Sequence, residues 1–177
     1  MSDDLVDETD CRRAGAMFDE TGMYRYRLWR YWEIREVSDP LVFLMLNPST
    51  ATAEKLDPTV RRCVEIARRM GHCGVEVLNI FAFKATDPKE LEEASIEAGI
   101  DIIGPLNNDA IREVSKGRRM VMACGANRLA PRRLAWLMEP GKLEAREILC
   151  LRRTKDGWPA HPLYLPYALV PQPWSMP

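Results

Sequence analysis

Residues 41–46 read "LVFLML", six apolar residues without a break, and the run stops on Asn47-Pro48. A half-buried strand alternates apolar and polar residues. An unbroken apolar run is what a strand covered on both faces requires, and that arrangement is typical of a sheet whose parallel strands are joined by helices. "VEVLNI" (75–80), "RMVMACG" (119–125) and "REILCL" (146–151) repeat the theme, with helical patterns between them. In "LDPTVRRCVEIARRMG", Asp57 suits the N-cap, Pro58 the first helical position and Gly71 the exit, with Val60, Val64 and Ala67 on the apolar face. Asp87-Pro88 opens a second helix in the same way. A third is expected from after Pro105 to about Ser115, and "PRRLAWLM" (131–138) gives a fourth. The predicted architecture is a single-domain α/β sandwich with a mainly parallel central sheet flanked by helices.

A chain of 177 residues with 46% hydrophobic side chains suits one globular domain rather than a disordered segment. No run reaches the roughly 18 apolar residues of a membrane helix, and the acidic start "MSDDLVDETD" does not resemble a signal peptide. A cytoplasmic monomer without a membrane partner is expected. Residues 1–20 read as an acidic flexible leader, 21–168 as the α/β domain and 169–177 as a Pro-rich tail. The leader holds seven acids and two arginines, a net of −5, which leaves 23 basic and 19 acidic side chains in the body. A mildly basic body is compatible with a nucleic-acid or nucleotide partner, and equally with an ordinary enzyme. "YRYRLWRYW" (24–32) reads as an antiparallel edge strand or hairpin, either half-buried with solvated arginines or an aromatic surface for stacking bases.

The cysteines, Cys11, Cys63, Cys73, Cys124 and Cys150, form no C-x-x-C pair and read as structural thiols, with no metal or other cofactor expected. There is no Gly-rich phosphate loop. Sites in α/β sheets form beyond the carboxyl ends of the strands, and three polar residues stand there. Asn47 ends the first core strand, Asn79 ends the second, and His161, held between Pro159 and Pro162, follows the fourth. Asn47-Pro48 can equally make a simple turn. His72, after Gly71, reads as a surface cap. Pro48, Ser49, Phe81, Lys84 and Asn127 lie close enough in sequence to line a substrate site. Ser49 and Thr50 are placed to hold a phosphate. Arg128, Arg132, Arg133 and Lys155 follow strands and are candidates to track a nucleic-acid backbone.

The segments "RYRLWRYW", "PLVFLMLNPSTA", "DPTVRRC", "VEVLNIFAFKATDP", "NNDA", "CGA" and "TKDGWPAHPLYLP", in this order over residues 24–166, closely resemble a bacterial and phage family, domain-of-unknown-function family 1643. Trp158 and Ala160 stand where a polar or basic residue is expected more often. More distantly, Asn47-Pro48, Asn79 within "VEVLN" and His161-Pro162 resemble, in order, three motifs of the uracil-DNA glycosylase superfamily. The departures are Met45 in place of a Gly, no aromatic-His pair after Pro48, and Leu163 in place of Ser. That resemblance implies a glycosylase-like fold. It also implies a DNA N-glycosylase excising a modified or mismatched pyrimidine, with Asn47 orienting water, His161 stabilising the departing base and Asn79 reading an extruded base stacked on Phe81 or Phe83. Two alternatives stay open: a hydrolase of free nucleosides or nucleotides, and a non-catalytic nucleic-acid-binding module.

Overall fold

The computed structural model describes residues 11–34, 38–49 and 57–177. Their strands are β1 (Arg13–Phe18), β2 (Arg25–Tyr31), β3 (Leu41–Met45), β4 (Gly74–Asn79), β5 (Arg119–Met122), β6 (Glu147–Cys150) and β7 (Gln172–Pro173). Their α-helices are α1 (Pro58–Arg69), α2 (Pro88–Ile96), α3 (Asn107–Ser115) and α4 (Ala130–Leu137). All seven strands join one sheet in the order β1-β2-β4-β3-β5-β6-β7.

The centre of the sheet follows from the apolar run. Leu41, Phe43 and Met45 point into one core with Val60, Val64 and Ala67 of α1. Val42, Leu44 and Leu46 point into another with Ile111 and Val114 of α3 and Leu134 and Leu137 of α4. Every residue of β3 is buried because helices cover both faces. The α1 punctuation forms as the sequence suggests: the Asp57 side chain accepts from the Val60 N–H at 2.8 Å, Pro58 sits in the first turn, and Gly71 leaves with φ +76°.

The sheet is mixed, which corrects the expectation of a mainly parallel one. The pairs β4-β3, β3-β5 and β5-β6 are parallel, whereas β1-β2, β2-β4 and β6-β7 are antiparallel. Parallel pairing needs a long crossover, usually helical, and the helices α1 to α4 all fall in the connections that run from β3 to β6. β1 and β2 are instead joined by a tight turn around Asp19–Gly22, with Gly22 at φ +72°. β1 lies in the stretch read as a leader and takes the sheet edge, so β2 is internal, antiparallel to both neighbours. The β1 sequence, Arg-Ala-Gly-Ala-Met-Phe, is largely exposed and has small residues at its centre, so it shows no alternation of large apolar and polar residues. Gly15 is required there, since a Cβ would fall 2.2 Å from Cζ2 of Trp29. Residues 1–10 lie outside the described residues. The tail is likewise tied down: β7 pairs with β6, and Trp174 is buried with its indole N–H donating to the Gly157 carbonyl at 3.0 Å.

One feature of β4 runs against its apolar character. Glu76 is fully buried, and Arg27 of β2 donates to it twice, at 2.5 and 2.6 Å. The Tyr31 hydroxyl also donates to it, and Arg118 stands 3.8 Å away. A buried carboxylate is tolerated only when paired and hydrogen-bonded in this way. Glu76→Ala leaves the cations without their anion and is expected to lower the unfolding free energy by about 3 kcal/mol, with Glu76→Gln intermediate. Urea denaturation checks this, and a loss below about 0.5 kcal/mol, the ordinary range for surface changes, would contradict it.

Candidate functional site

β3, β4 and β5 end side by side, with Met45 opposite Asn79 and Leu44 opposite Met122. The chain moves from β3 to β4 on one side and then crosses to β5 on the other, so the strand order reverses between β3 and β5. Ligands in open α/β sheets bind outside the carboxyl ends at such a point. A cavity of about 390 Å³ opens there, and Asn47, Asn79 and His161 all line it, together with Ser49, Asn127, Arg25 and Asp57. That volume lies within the usual range for a small-molecule site.

Asn47 is half-buried just beyond β3. Its amide nitrogen donates to the carbonyls of Ala85 at 2.7 Å and Pro48 at 3.1 Å. Two carbonyls can be faced only by the NH2 end, so the amide oxygen is the atom left for a ligand. Asn79 is set the opposite way. It is buried at the end of β4, and Arg25 donates to its side-chain oxygen at 3.4 Å. A guanidinium has only donors, so Asn79 turns its oxygen toward Arg25 and offers its NH2 to the cavity. The Asn79 backbone carbonyl is held by the Asn107 amide at 3.0 Å. Burial pulls the Arg25 pKa down to about 10, partly offset by the charge of Asp57, and the group stays protonated at neutral pH.

His161 precedes a short 3-10 helix, Pro162–Tyr164, and its loop is tied to the exit of β5. The Gly125 N–H donates to the Pro159 carbonyl at 2.9 Å. Gly125 has φ +71°, and a Cβ there would stand 3.4 Å from the His161 Cβ, so the glycine lets the loop close onto the strand end. The Leu163 N–H donates to Nδ1 of His161 at 3.4 Å, which selects the tautomer carrying its proton on Nε2. Burial lowers the His161 pKa, and Asp57 offsets this only in part. The ring is therefore a neutral donor at physiological pH.

Both charged residues of the lining, Asp57 and Arg25, escaped the sequence reading as site members. Asp57 was legible as a helix cap, but its second oxygen accepts from Ser49 Oγ at 2.5 Å, and the carboxylate borders the cavity. The available signal was its position, a carboxylate opening the helix that follows β3. Arg25 gave none, since its burial depends on the β2–β4 pairing. Cys124 also lines the cavity, and burial pushes its pKa up to about 12, so it is a thiol and not a nucleophile.

Of the other expected members, Ser49 and Asn127 line the cavity and the rest of the described ones fall elsewhere. Pro48 is buried, and its carbonyl accepts from Ala85 N at 3.1 Å. The Ser49 hydroxyl hydrogen goes to Asp57, so it has none for a phosphate, and Thr50 lies outside the described residues. Asn127 borders the cavity with its oxygen engaged by Leu129 N at 2.8 Å. Phe81 is a core residue bordering a different cavity, and Lys84 is exposed with its ammonium 5.4 Å from the centre of the Phe18 ring. Arg128 is paired with Glu92 at 2.7 Å, and Arg133 is buried with bonds to Ile80 and Asn108. Arg132 and Lys155 are exposed. Trp158 and Ala160 are half-buried against the cores and do not line the cavity. His72 is buried rather than a surface cap, with Nδ1 2.9 Å from the Asp39 carbonyl. Among the described residues, no group of three or more His, Cys, Asp or Glu side chains is placed to hold a metal, and no helix is long and apolar enough to cross a membrane.

The fold and site define an α/β protein with a mixed sheet and, at its carboxyl edge, a cavity into which several polar side chains are set. The chain belongs to the family described as a protein of unknown function, DUF1643, whose model matches residues 25–163, a span containing Asn47, Asn79 and His161. No curated protein and no solved structure matches it.

The lowered pKa of His161 has a definite sign in stability. Between the folded midpoint and the ordinary value near 6.5, the unfolded chain binds the proton and the folded one does not. Stability contributed by His161 is present above about pH 6.5 and is lost as pH falls through the folded midpoint. NMR titration of the ring should give a midpoint below about 6.5, and His161→Gln should flatten this part of the stability–pH curve. A midpoint above 7 would contradict the geometry.

Proposed function

We propose that the cavity binds a nucleobase and that the protein hydrolyses an N-glycosidic bond, releasing a modified or mismatched pyrimidine from DNA. The observation that carries this reading is the convergence of complementary polar atoms on one cavity: the Asn47 amide oxygen, the Asn79 NH2 and the Nε2–H of His161. In N-glycosidic cleavage the sugar develops oxocarbenium character and the bonding electrons leave with the base. Asn47 accepts a hydrogen bond from the attacking water and aims it at the anomeric carbon. Asp57, with lone pairs beyond those given to Val60 and Ser49, takes the proton that the water loses. His161 donates to the base oxygen on which negative charge grows, and Asn79 donates to an acceptor on the base edge. The ordered trio also resembles the uracil-DNA glycosylase motifs, which supports the same assignment.

One observation favours a second reading, a hydrolase of free nucleosides or nucleotides. Arg133 is turned into the core and Arg128 is spent on Glu92, and a long duplex ordinarily calls for a denser set of free cations.

Mass spectrometry of bases released from a panel of modified oligonucleotides and free nucleotides tests both readings. One base should be released by the wild type, with Asn47→Ala and His161→Gln each slower by about a hundredfold. Release from free nucleotides alone would decide for the second reading. No release from any substrate, or release indifferent to Asn47→Ala, would sink the mechanism.

A further inference from the structure

A second cavity, of about 470 Å³, lies among α2, α3 and α4 and shares no lining residue with the first. Its walls are largely apolar, with Phe81, Ile100, Ile103 and Trp136 among them. Arg133 is set into this wall at 6% exposure. Its Nε donates to the Ile80 carbonyl at 2.9 Å and its Nη2 donates to the Asn108 side-chain oxygen, both neutral acceptors. Its guanidinium carbon stands 4.8 Å from the centre of the Trp136 ring. Among the described residues no carboxylate lies within ion-pair distance of Arg133, and Nη1 has no hydrogen bond. Asp101 borders the cavity and acts on Arg133 only from a distance, while its Oδ1 accepts from Ile103 N. Burial drags the Arg133 pKa down to about 10, so the cation persists at neutral pH without a counterion.

A buried charge without a partner is costly, and it is retained where an anion completes it. Arg132 adds a second, exposed guanidinium to the same lining. The combination of two guanidinium groups and apolar walls selects a particular ligand chemistry. We propose that this cavity is a second binding site, for a small organic anion. Its carboxylate or phosphate takes the Nη1 hydrogens of Arg133 and a bond from Arg132, and its apolar body packs on Ile100, Ile103 and Trp136. The site is independent of the nucleobase reading, and its probes carry no glycosidic bond.

Calorimetric titration of the full chain with phenylacetate, phenyl phosphate, 2-phenylethanol and inorganic phosphate tests this, alongside NMR of the tryptophan indole N–H signals. Trp136 is assigned through Trp136→Phe. At least one of the two aromatic anions should saturate and shift the Trp136 signal, and which of them does so distinguishes carboxylate from phosphate. The neutral alcohol and bare phosphate should bind at least about tenfold more weakly. Arg133→Gln should abolish binding. Should that variant fail to fold, Arg132→Glu, at an exposed position, should weaken the anions by about tenfold and leave 2-phenylethanol unaffected. The proposal is overturned by equal binding of anion and alcohol, by an affinity indifferent to Arg132→Glu, by shifts at His161 in place of Trp136, or by no saturation up to about 10 mM.

Discussion

β3 is buried on both faces, so its register against β4 and β5 is fixed by two different cores at once. A slip of one residue would exchange Leu41, Phe43 and Met45 with Val42, Leu44 and Leu46 between the α1 side and the α3–α4 side. That locked register carries the site. It brings Met45 level with Asn79, so that Asn47 and Asn79 leave the sheet together, and it sets Leu44 against Met122, so that the β5 exit and its Gly125 stand beside them. The His161 loop then fastens to Gly125 through Pro159. The cavity is thus a consequence of where three parallel strands stop.

The antiparallel half of the sheet supplies the charge. Glu76 gathers Arg27 and Tyr31 of β2 onto β4, and the pairing of Leu28 with Val77 carries Arg25 past the end of β4 to Asn79. The Arg25 backbone N–H donates to the Ala82 carbonyl at 2.9 Å, which fixes the backbone from which the side chain reaches Asn79. Arg25 and Asp57 therefore place one cation and one anion beside three neutral polar groups. Such a balance suits an uncharged, hydrogen-bonding ligand better than a bare phosphate, whose charge the Asp57 carboxylate would oppose.

What the sequence made legible was local. The α1 cap at Asp57, the exit at Gly71 and the continuous apolar run of β3 each follow from a few adjacent residues and their backbone preferences. Asn47 was legible because the apolar run breaks there at an Asn-Pro pair, Asn79 because a lone amide stands at the end of an apolar strand, and His161 because Pro159 and Pro162 hold it. The features that escaped depend on distant partners. β1 has no hydrophobic pattern, since an edge strand needs only backbone pairing, and Glu76 inside an apolar strand announces nothing about Arg27 and Tyr31. Arg128 and Arg133 looked like surface cations because sequence cannot say that Glu92 meets one and that Ile80 and Asn108 meet the other. The mixed sheet was legible only in part: the antiparallel direction of β2 could be read from residues 24–32, but its internal place depends on β1 and β4, distant neighbours the chain has to find.

The cavity between the β3, β4 and β5 exits is proposed to hold a nucleobase. A crystal structure of the protein soaked with free pyrimidine bases tests this proposal without any assumption about turnover. The expected result is a base in this cavity, with a ring acceptor within hydrogen-bond distance of the Asn79 NH2 and a carbonyl oxygen facing Nε2 of His161. A base bound in the Arg133 cavity alone, or no base near Asn79 at saturating concentration, would contradict it.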